Sequence, residues 1–169
     1  MCRELPYSFL QKYKLSKDLL ASTEVKTIMK FRHHFYTTYE VDLPLAYERL
    51  DPFPYELKTF YEEIGFGFMH CRKGEINRIL DPVSLVIINL LEGEYLYDKR
   101  IREIVKQNDV ETRLLFFESK DGKFLTIDRN DIKGKNAIYY KADKVVDSLY
   151  EFICKYDKNK DWLDYVLDR

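Results

Sequence analysis

The chain has 169 residues, of which 46% are apolar, 15% aromatic and 34% charged. This length fits one domain, and the high apolar and aromatic content excludes a disordered chain. The 28 basic and 29 acidic residues give a net charge of −1, which argues against a nucleic-acid-binding protein, because phosphate contacts require a basic face.

Cysteine usage and hydropathy favour a cytoplasmic protein. Cys2, Cys71 and Cys154 are odd in number and far apart, as expected for free thiols rather than a disulfide framework. The N-terminus lacks the continuous apolar segment of a secretory signal. The most apolar run, residues 83–91, is too short to span a bilayer, so we expect no membrane contact.

Two features precede residue 54. Apolar residues recur at helical spacing between Val25 and Met29, with Arg32 continuing the pattern, and this predicts a helix over residues 24–34. Residues 42–54 contain three prolines, which predicts an irregular connection rather than a helix or strand.

The segment from Pro54 to Cys71 predicts a helix followed by a strand. Apolar residues recur at i, i+3, i+4 and i+7 from Leu57 to Ile64, with Pro54 suited to the first helical position. Gly65 suits the left-handed position that ends a helix. Residues 66–71, "FGFMHC", then predict a strand with His70 and Cys71 on opposite faces.

Further along the chain, capping signals predict the remaining helices. Asp81 followed by Pro82 is typical of a helix start, and Asp98 precedes a helical pattern that ends near residue 107. Ser148 and Glu151 form a capping box ahead of another apolar stripe. Residues 161–167 predict a last helix.

The clearest strand signal is a hairpin over residues 113–128. Two apolar runs flank Asp121-Gly122, a dipeptide favoured where both central turn residues have positive φ. Residues 136–141, "NAIYYK", predict a further strand. Strands joined by a hairpin and flanked by helices indicate an α+β fold with a mixed or antiparallel sheet.

Candidate catalytic, metal and nucleotide sites lack the patterns that such chemistry needs. "GFGFMH" has no third glycine and does not stand between a strand and a helix, as a dinucleotide-binding loop does. His70 with Cys154 remains a possible metal pair without a C-x-x-C or H-x-x-x-H partner. Cys71 and Ser84 are candidate nucleophiles without an identifiable base. We therefore predict no catalytic residue, no metal and no cofactor.

The order of these elements resembles the SUKH superfamily, also called the Smi/Knr family. "PYELKTFYEEIGFGFMHCRKGEINRILDPVSL" is similar to its first helix, Gly-aromatic-Gly element and Asn…Asp-Pro element. "LLFFESKDGKFLTID" is similar to its central hairpin, "NAIYYK" to its next strand and "VVDSLYEFICKY" to its closing helix. The typical N-terminal Leu-Pro helix and Asn-Gly-Gly loop are absent in that form.

The resemblance implies one domain over residues 1–169. Residues 1–53 would be an N-terminal helical extension, 54–157 the family-like core and 158–169 a C-terminal helical segment. Its structural motif residues are Gly65, Phe66, Gly67, Asn77, Asp81, Pro82, Asp147, Ser148 and Phe152.

Bacterial members of this family are mostly cytoplasmic immunity proteins, which bind and neutralise toxins encoded beside them and have no catalytic residues. The resemblance therefore implies a cognate protein toxin as partner, with no direct nucleic-acid contact. If the toxin is a nuclease, we expect an acidic face. Its candidate residues are Glu92, Glu94, Asp98, Glu118 and Asp121.

Two alternatives stay open from the sequence. One is a general interaction or regulatory module of the cell-wall-synthesis-regulator type, as in eukaryotic relatives of this family. The other is a small enzyme that uses His70 or Cys71.

Overall fold

A computed structural model of the chain describes residues 5–15, 31–71 and 77–168. Within these residues eight strands form one open sheet, and each strand lies beside its neighbour in the chain. The first two strands pair in parallel and all later neighbours pair antiparallel. The strands are Lys14–Leu15 (β1), His33–Tyr36 (β2), Phe66–Met69 (β3), Arg78–Ile79 (β4), Arg113–Glu118 (β5), Phe124–Asp128 (β6), Ile138–Tyr140 (β7) and Asp143–Val146 (β8).

Helices pack against this sheet, which confirms the predicted α+β class. The α-helices are Asp42–Arg49 (α1), Tyr55–Glu63 (α2), Pro82–Asn89 (α3), Lys99–Gln107 (α4), Leu149–Lys158 (α5) and Lys160–Leu167 (α6). The 3₁₀ helices within the described residues are Ser8–Tyr13 and Gly93–Leu96. None of the helices in the described part of the chain is long and apolar enough to cross a membrane.

Strand β5 is the centre of the core. Its four inner residues, "LLFF", are all buried, which is the pattern of a strand covered on both faces. Phe152 of α5 packs on it, with its ring 5.4 Å from that of Phe117. Helix α3 also contacts β5, and α4 and α1 pack against α3. The sheet therefore lies between two groups of helices.

Asn89 completes the hydrogen bonds of β5 where strand β4 ends. The last bond from the β4 side is that of the Leu80 N–H to the Phe116 carbonyl, 2.9 Å. Beyond it, Asn89 Nδ2 donates to the Leu115 carbonyl and Asn89 Oδ1 accepts from the Leu115 N–H, both at 2.9 Å. A side-chain amide from α3 thus pairs with β5 as a strand would.

The residues before Pro54 contribute to the sheet and its helical cover. The predicted helix over residues 24–34 lies mostly outside the described residues, but His33 and His34 belong to strand β2 rather than to a helix. The predicted irregular connection over residues 42–54 is also wrong in its first part, which forms α1. Pro44 is tolerated there because it stands in the first turn, where N–H groups have no helical partner.

Leu43 and Pro44 lie in the first turn of helix α1. The Asp51–Pro52 peptide bond that follows is cis.

The capping signals are confirmed with small shifts. Asp81 caps α3 by accepting from the Ser84 N–H at 3.1 Å, and Pro82 is the first residue of that helix. Ser148 Oγ accepts from the Glu151 N–H at 3.0 Å, as predicted, whereas Glu151 reaches back to the Asp147 N–H rather than to that of Ser148. Pro54 is the N-cap of α2 and not its first residue.

The hairpin is confirmed, but its turn differs from the prediction. Gly122 has φ 73°, whereas Asp121 does not have positive φ. The Gly122 N–H donates to the Ser119 carbonyl, and the Ser119 N–H donates to the Lys123 carbonyl. This is the three-residue loop in which glycine takes the left-handed position after a turn, rather than a two-residue loop.

Two glycines let strand β2 approach α2 and β3. Gly65 has φ 115° just after α2. A Cβ atom there would lie only 1.9 Å from the Tyr36 carbonyl oxygen, which is a severe steric clash. A Cβ atom on Gly67 would lie 2.0 Å from the His34 carbonyl oxygen. Strand β3 then ends at Met69, since His70 has φ 53°. His70 and Cys71 therefore do not belong to the strand, contrary to the prediction.

Candidate functional site

Helix α3 leaves a stripe of apolar side chains outside the core. Val83 and Leu90 are 44% and 37% exposed, and Ile87 between them is half-buried. Their spacing of i, i+4 and i+7 puts them on one face of the helix and its final turn. The opposite face, with Leu85 and Ile88, is fully buried. This helix is apolar all round, so its outer stripe is available for a partner.

The elements that pack on α3 expose further apolar side chains. Helix α1 packs on α3 and exposes Leu45, which is preceded by the exposed Val41. The 3₁₀ helix Gly93–Leu96 contacts α3 as well and exposes Leu96, followed by Tyr97 at 83%. We define the α1–α3 surface by these apolar residues. They are Val41, Leu45, Val83, Ile87, Leu90, Leu96 and Tyr97.

The segments that form the α1–α3 surface also carry acidic residues. Residues 39–50 and 92–98 carry six acidic residues against one basic residue, Arg49. The acidic residues are Glu40, Asp42, Glu48, Glu92, Glu94 and Asp98. A surface with apolar residues at its centre and charged residues at its rim has the anatomy of a protein interface.

The five predicted acidic residues fall into two groups, and the first lies at this rim. Glu94 is exposed. Glu92 pairs with Arg49, with Nη1 2.7 Å from Oε2, and so ties the end of α1 to the segment after α3. This pairing lowers the pKa of Glu92 through the hydrogen bond from Arg49. Asp98 caps α4 by accepting from the Ile101 N–H at 3.1 Å.

The second group lies on the β5–β6 hairpin. Glu118 pairs with Arg78 at 2.8 Å, and Asp121 is exposed at the tip. Arg100, near the start of α4, lies 4.0 Å from Glu118 and donates to the Gly122 carbonyl at 3.1 Å. The hairpin tip is thus bound to α4 through an arginine, which partly neutralises this second group.

Three further predicted motif residues lie in different environments. Asn77 is 5% exposed, and its Oδ1 accepts from the Lys120 N–H at 3.0 Å, which fixes the hairpin loop. Phe66 is half-buried and packs near the Tyr36 ring, and exposed Asp147 pairs with Lys144 at 3.3 Å.

His70 and Cys71 are placed as structural residues. His70 is 5% exposed, and its Nε2 lies 2.5 Å from the Tyr156 carbonyl, to which it donates. Burial lowers the pKa of His70 and raises that of Cys71 to about 11. A thiol with this pKa is a poor nucleophile at neutral pH, because almost none of it is thiolate.

His70 belongs to a buried network that centres on His33. The His70 N–H donates to His33 Nδ1 at 3.1 Å, so His33 carries its proton on Nε2, which donates to Asp157 at 2.7 Å. Arg32 pairs with the same carboxylate at 2.8 Å. His33 is fully buried, and this burial lowers its pKa to about 4. The network joins β2 to α5. Within it, the imidazole of His33 has no contact with solvent.

Periodicity alone does not identify the α1–α3 surface. The one available signal is that α3 carries apolar residues on every side, more than one buried face can use. Helix α1 was not predicted, because its proline indicated an irregular connection. The acidic residues Glu40, Asp42 and Glu48 were therefore not among the predicted candidates.

Comparison with known proteins gives one informative match. The immunity protein YxxD of Bacillus subtilis (strain 168) is 35% identical to this chain over 115 residues, which are 68% of this chain and 76% of that protein. No family model matches the chain. No solved structure matches it either.

Proposed function

Because this chain belongs to the family of the immunity protein YxxD, we propose that it binds a cognate bacterial toxin in the cytoplasm and neutralises it without catalysis. The observation that carries this proposal is the 35% identity, which extends over 76% of an immunity protein. Toxin binding fits an α+β scaffold with an exposed apolar surface and with His70 and Cys71 in structural positions.

The fold itself is, in this proposal, that of the SUKH superfamily. The order of α2, the Gly-Phe-Gly element, the Asp-capped α3, the hairpin, β7 and the Ser-capped α5 supports this assignment. A superposition of an experimental structure on known members of that superfamily tests it, and a different strand order would contradict it.

The toxin is proposed to dock on the α1–α3 surface. The apolar stripe of α3 supplies area that becomes buried in a complex, and Tyr97 is a large aromatic side chain of the kind that dominates binding energies. The acidic rim suits a basic partner, since complementary charge accelerates association and selects the partner. A nuclease has such a basic face where it binds nucleic acid, so a nuclease is the toxin class that we propose.

Co-expression with the toxin encoded by the adjacent gene tests the function. We expect restored growth of the host and a stable complex on gel filtration. Absence of both rescue and complex would overturn the proposed function.

Substitutions on the surface test its location. Val83→Lys and Glu94→Lys should each weaken toxin binding about fivefold or more, because a hot-spot residue of an interface contributes more than about 1 kcal/mol. The matched controls are Ile132→Lys and Glu111→Lys, which change an exposed isoleucine and an exposed glutamate elsewhere. Calorimetric titration measures all four. Equal affinities for the surface variants and their controls would place the toxin on another face.

A further inference from the structure

A concave site, separate from the α1–α3 surface, lies between helix α4 and the sheet. It has a volume of about 460 Å³, within the range of small-molecule sites. Its floor and one wall are apolar, from Leu115 of β5, Phe124 of β6 and Ile104 of α4. The turn between β7 and β8 closes the other side with Ala142. We call this site the α4 groove.

The charged side chains that line the α4 groove are all basic. They are Arg113, Lys123 and Lys141, and no carboxylate stands with them among the described lining residues. Lys123 is engaged, since its Nζ donates to the Leu167 carbonyl at 3.0 Å. Arg113 donates to the Lys141 carbonyl at 3.2 Å and stacks over the Tyr139 ring at 4.5 Å. The guanidinium is thereby held in place, and its charge also acts on the Asp128 carboxylate opposite it on β6.

Thr126 adds an unsatisfied polar group to the same wall. It lines the groove between the two hydrophobic strands and is 6% exposed. Its Oγ1 has no hydrogen-bond partner in the described part of the chain. Buried polar groups without partners are exceptions in folded proteins, and each calls for an explanation.

We propose that the α4 groove binds a small amphipathic anion. The apolar body of the ligand lies against Ile104 and Phe124, and its carboxylate or sulfonate meets Arg113 and Lys141. The positive charge of this groove is opposite to that of the acidic rim around the α1–α3 surface, so the two sites take ligands of different chemistry. The inference does not depend on the proposed toxin binding.

Three probes with ten-carbon chains separate charge from hydrophobicity: decanoate and decyltrimethylammonium, each below its micelle concentration, and decan-1-ol below its solubility limit. Binding is followed in ¹H–¹⁵N NMR spectra of the full chain. We expect decanoate to shift the amide signals of Ile104, Gly122 and Thr126, and to bind about fivefold to tenfold more tightly than decan-1-ol. The cationic probe should bind weakest.

Variants locate the site. Arg113→Gln should remove the preference for decanoate over decan-1-ol, whereas Arg102→Gln, the same change at an exposed residue of α4, should preserve it. Ala142→Trp should obstruct the mouth of the groove and weaken both probes, and it keeps the test valid if Arg113→Gln fails to fold. No decanoate binding, equal binding of the three probes, or binding undiminished by Ala142→Trp would each overturn the proposal.

Discussion

The Asn89 side chain gives the most direct link between one residue and the stability of the sheet. Its amide occupies the position that strand β4 vacates when the chain turns into α3, and it satisfies both main-chain groups of Leu115. Asn89 also donates to the Leu85 carbonyl at 2.8 Å, which fixes its rotamer within the helix. It is 3% exposed, so water cannot replace these bonds.

Asn89→Leu should therefore lower the free energy of unfolding by about 2–4 kcal/mol, because it leaves a buried N–H and a buried carbonyl without partners. Urea denaturation monitored by circular dichroism measures the loss. Asn130→Leu, at an exposed loop position, is the control and should change stability by less than about 0.5 kcal/mol. A midpoint for Asn89→Leu close to that of the control would contradict this role.

The contact between β2 and the α2–β3 turn makes a prediction for a pair of elements. Gly65→Ala should destabilise the protein by more than about 3 kcal/mol or prevent folding, since the new methyl group meets main-chain atoms of Tyr36 that cannot move alone. Gly134→Ala is the matched control: Gly134 also has positive φ, 78°, but no atom lies within 4 Å of the added Cβ. It should cost only about 1 kcal/mol. Equal losses of stability in the two variants would show that φ alone, and not the approach of β2, requires glycine at residue 65.

The elements that the sequence predicted carry their own local signals. Helices α3 and α5 begin at side chains that cap them, and the β5–β6 hairpin is marked by Asp121-Gly122. Strands β2 and β4 have no such signal. They hold four and two residues, and their register depends on partners far along the chain, as in the pairing of Phe35 with Gly67. These two strands could not be predicted from local sequence, because their positions in the sheet depend on residues far along the chain.

The same distinction applies to the candidate site. Glu92, Glu94 and Asp98 could be named from the sequence as acidic residues near one another. The pairing of Glu92 with α1 could not, because Arg49 lies 43 positions from Glu92. The buried state of His70 was equally hidden, since its partner, the Tyr156 carbonyl, belongs to the C-terminal third of the chain.

The buried network around His33 links strand β2 to helix α5 and makes the stability of the protein depend on pH. The folded pKa of His33, about 4, is below the value of about 6.5 expected in the unfolded chain. The unfolded state therefore takes up a proton first as the pH falls. Stability from neutral His33 is complete above about pH 6.5 and is lost progressively between pH 6.5 and 4.

This loss should reach up to about 3 kcal/mol at pH 4. His70, whose pKa is lowered by burial, adds a change of the same sign. His33→Gln should be less stable than the wild type at pH 7, and the difference between the two should shrink as the pH is lowered to 4. Urea midpoints measured at half-unit steps of pH give the comparison, in which carboxylate titration largely cancels. A constant difference over this range would contradict the assignment.

The edges of the sheet bear on how a partner can be recognised. Among the described strands, β1 at one edge has only two residues, and β8 at the other edge exposes Asp143 and Lys144. Short and charged edges discourage the addition of a strand from another chain. Recognition by β-augmentation, in which main-chain bonds supply affinity with little regard to sequence, is therefore disfavoured. In the proposed complex the toxin instead contacts helix side chains, and differences in these side chains let related chains share this scaffold and still reject one another's partners.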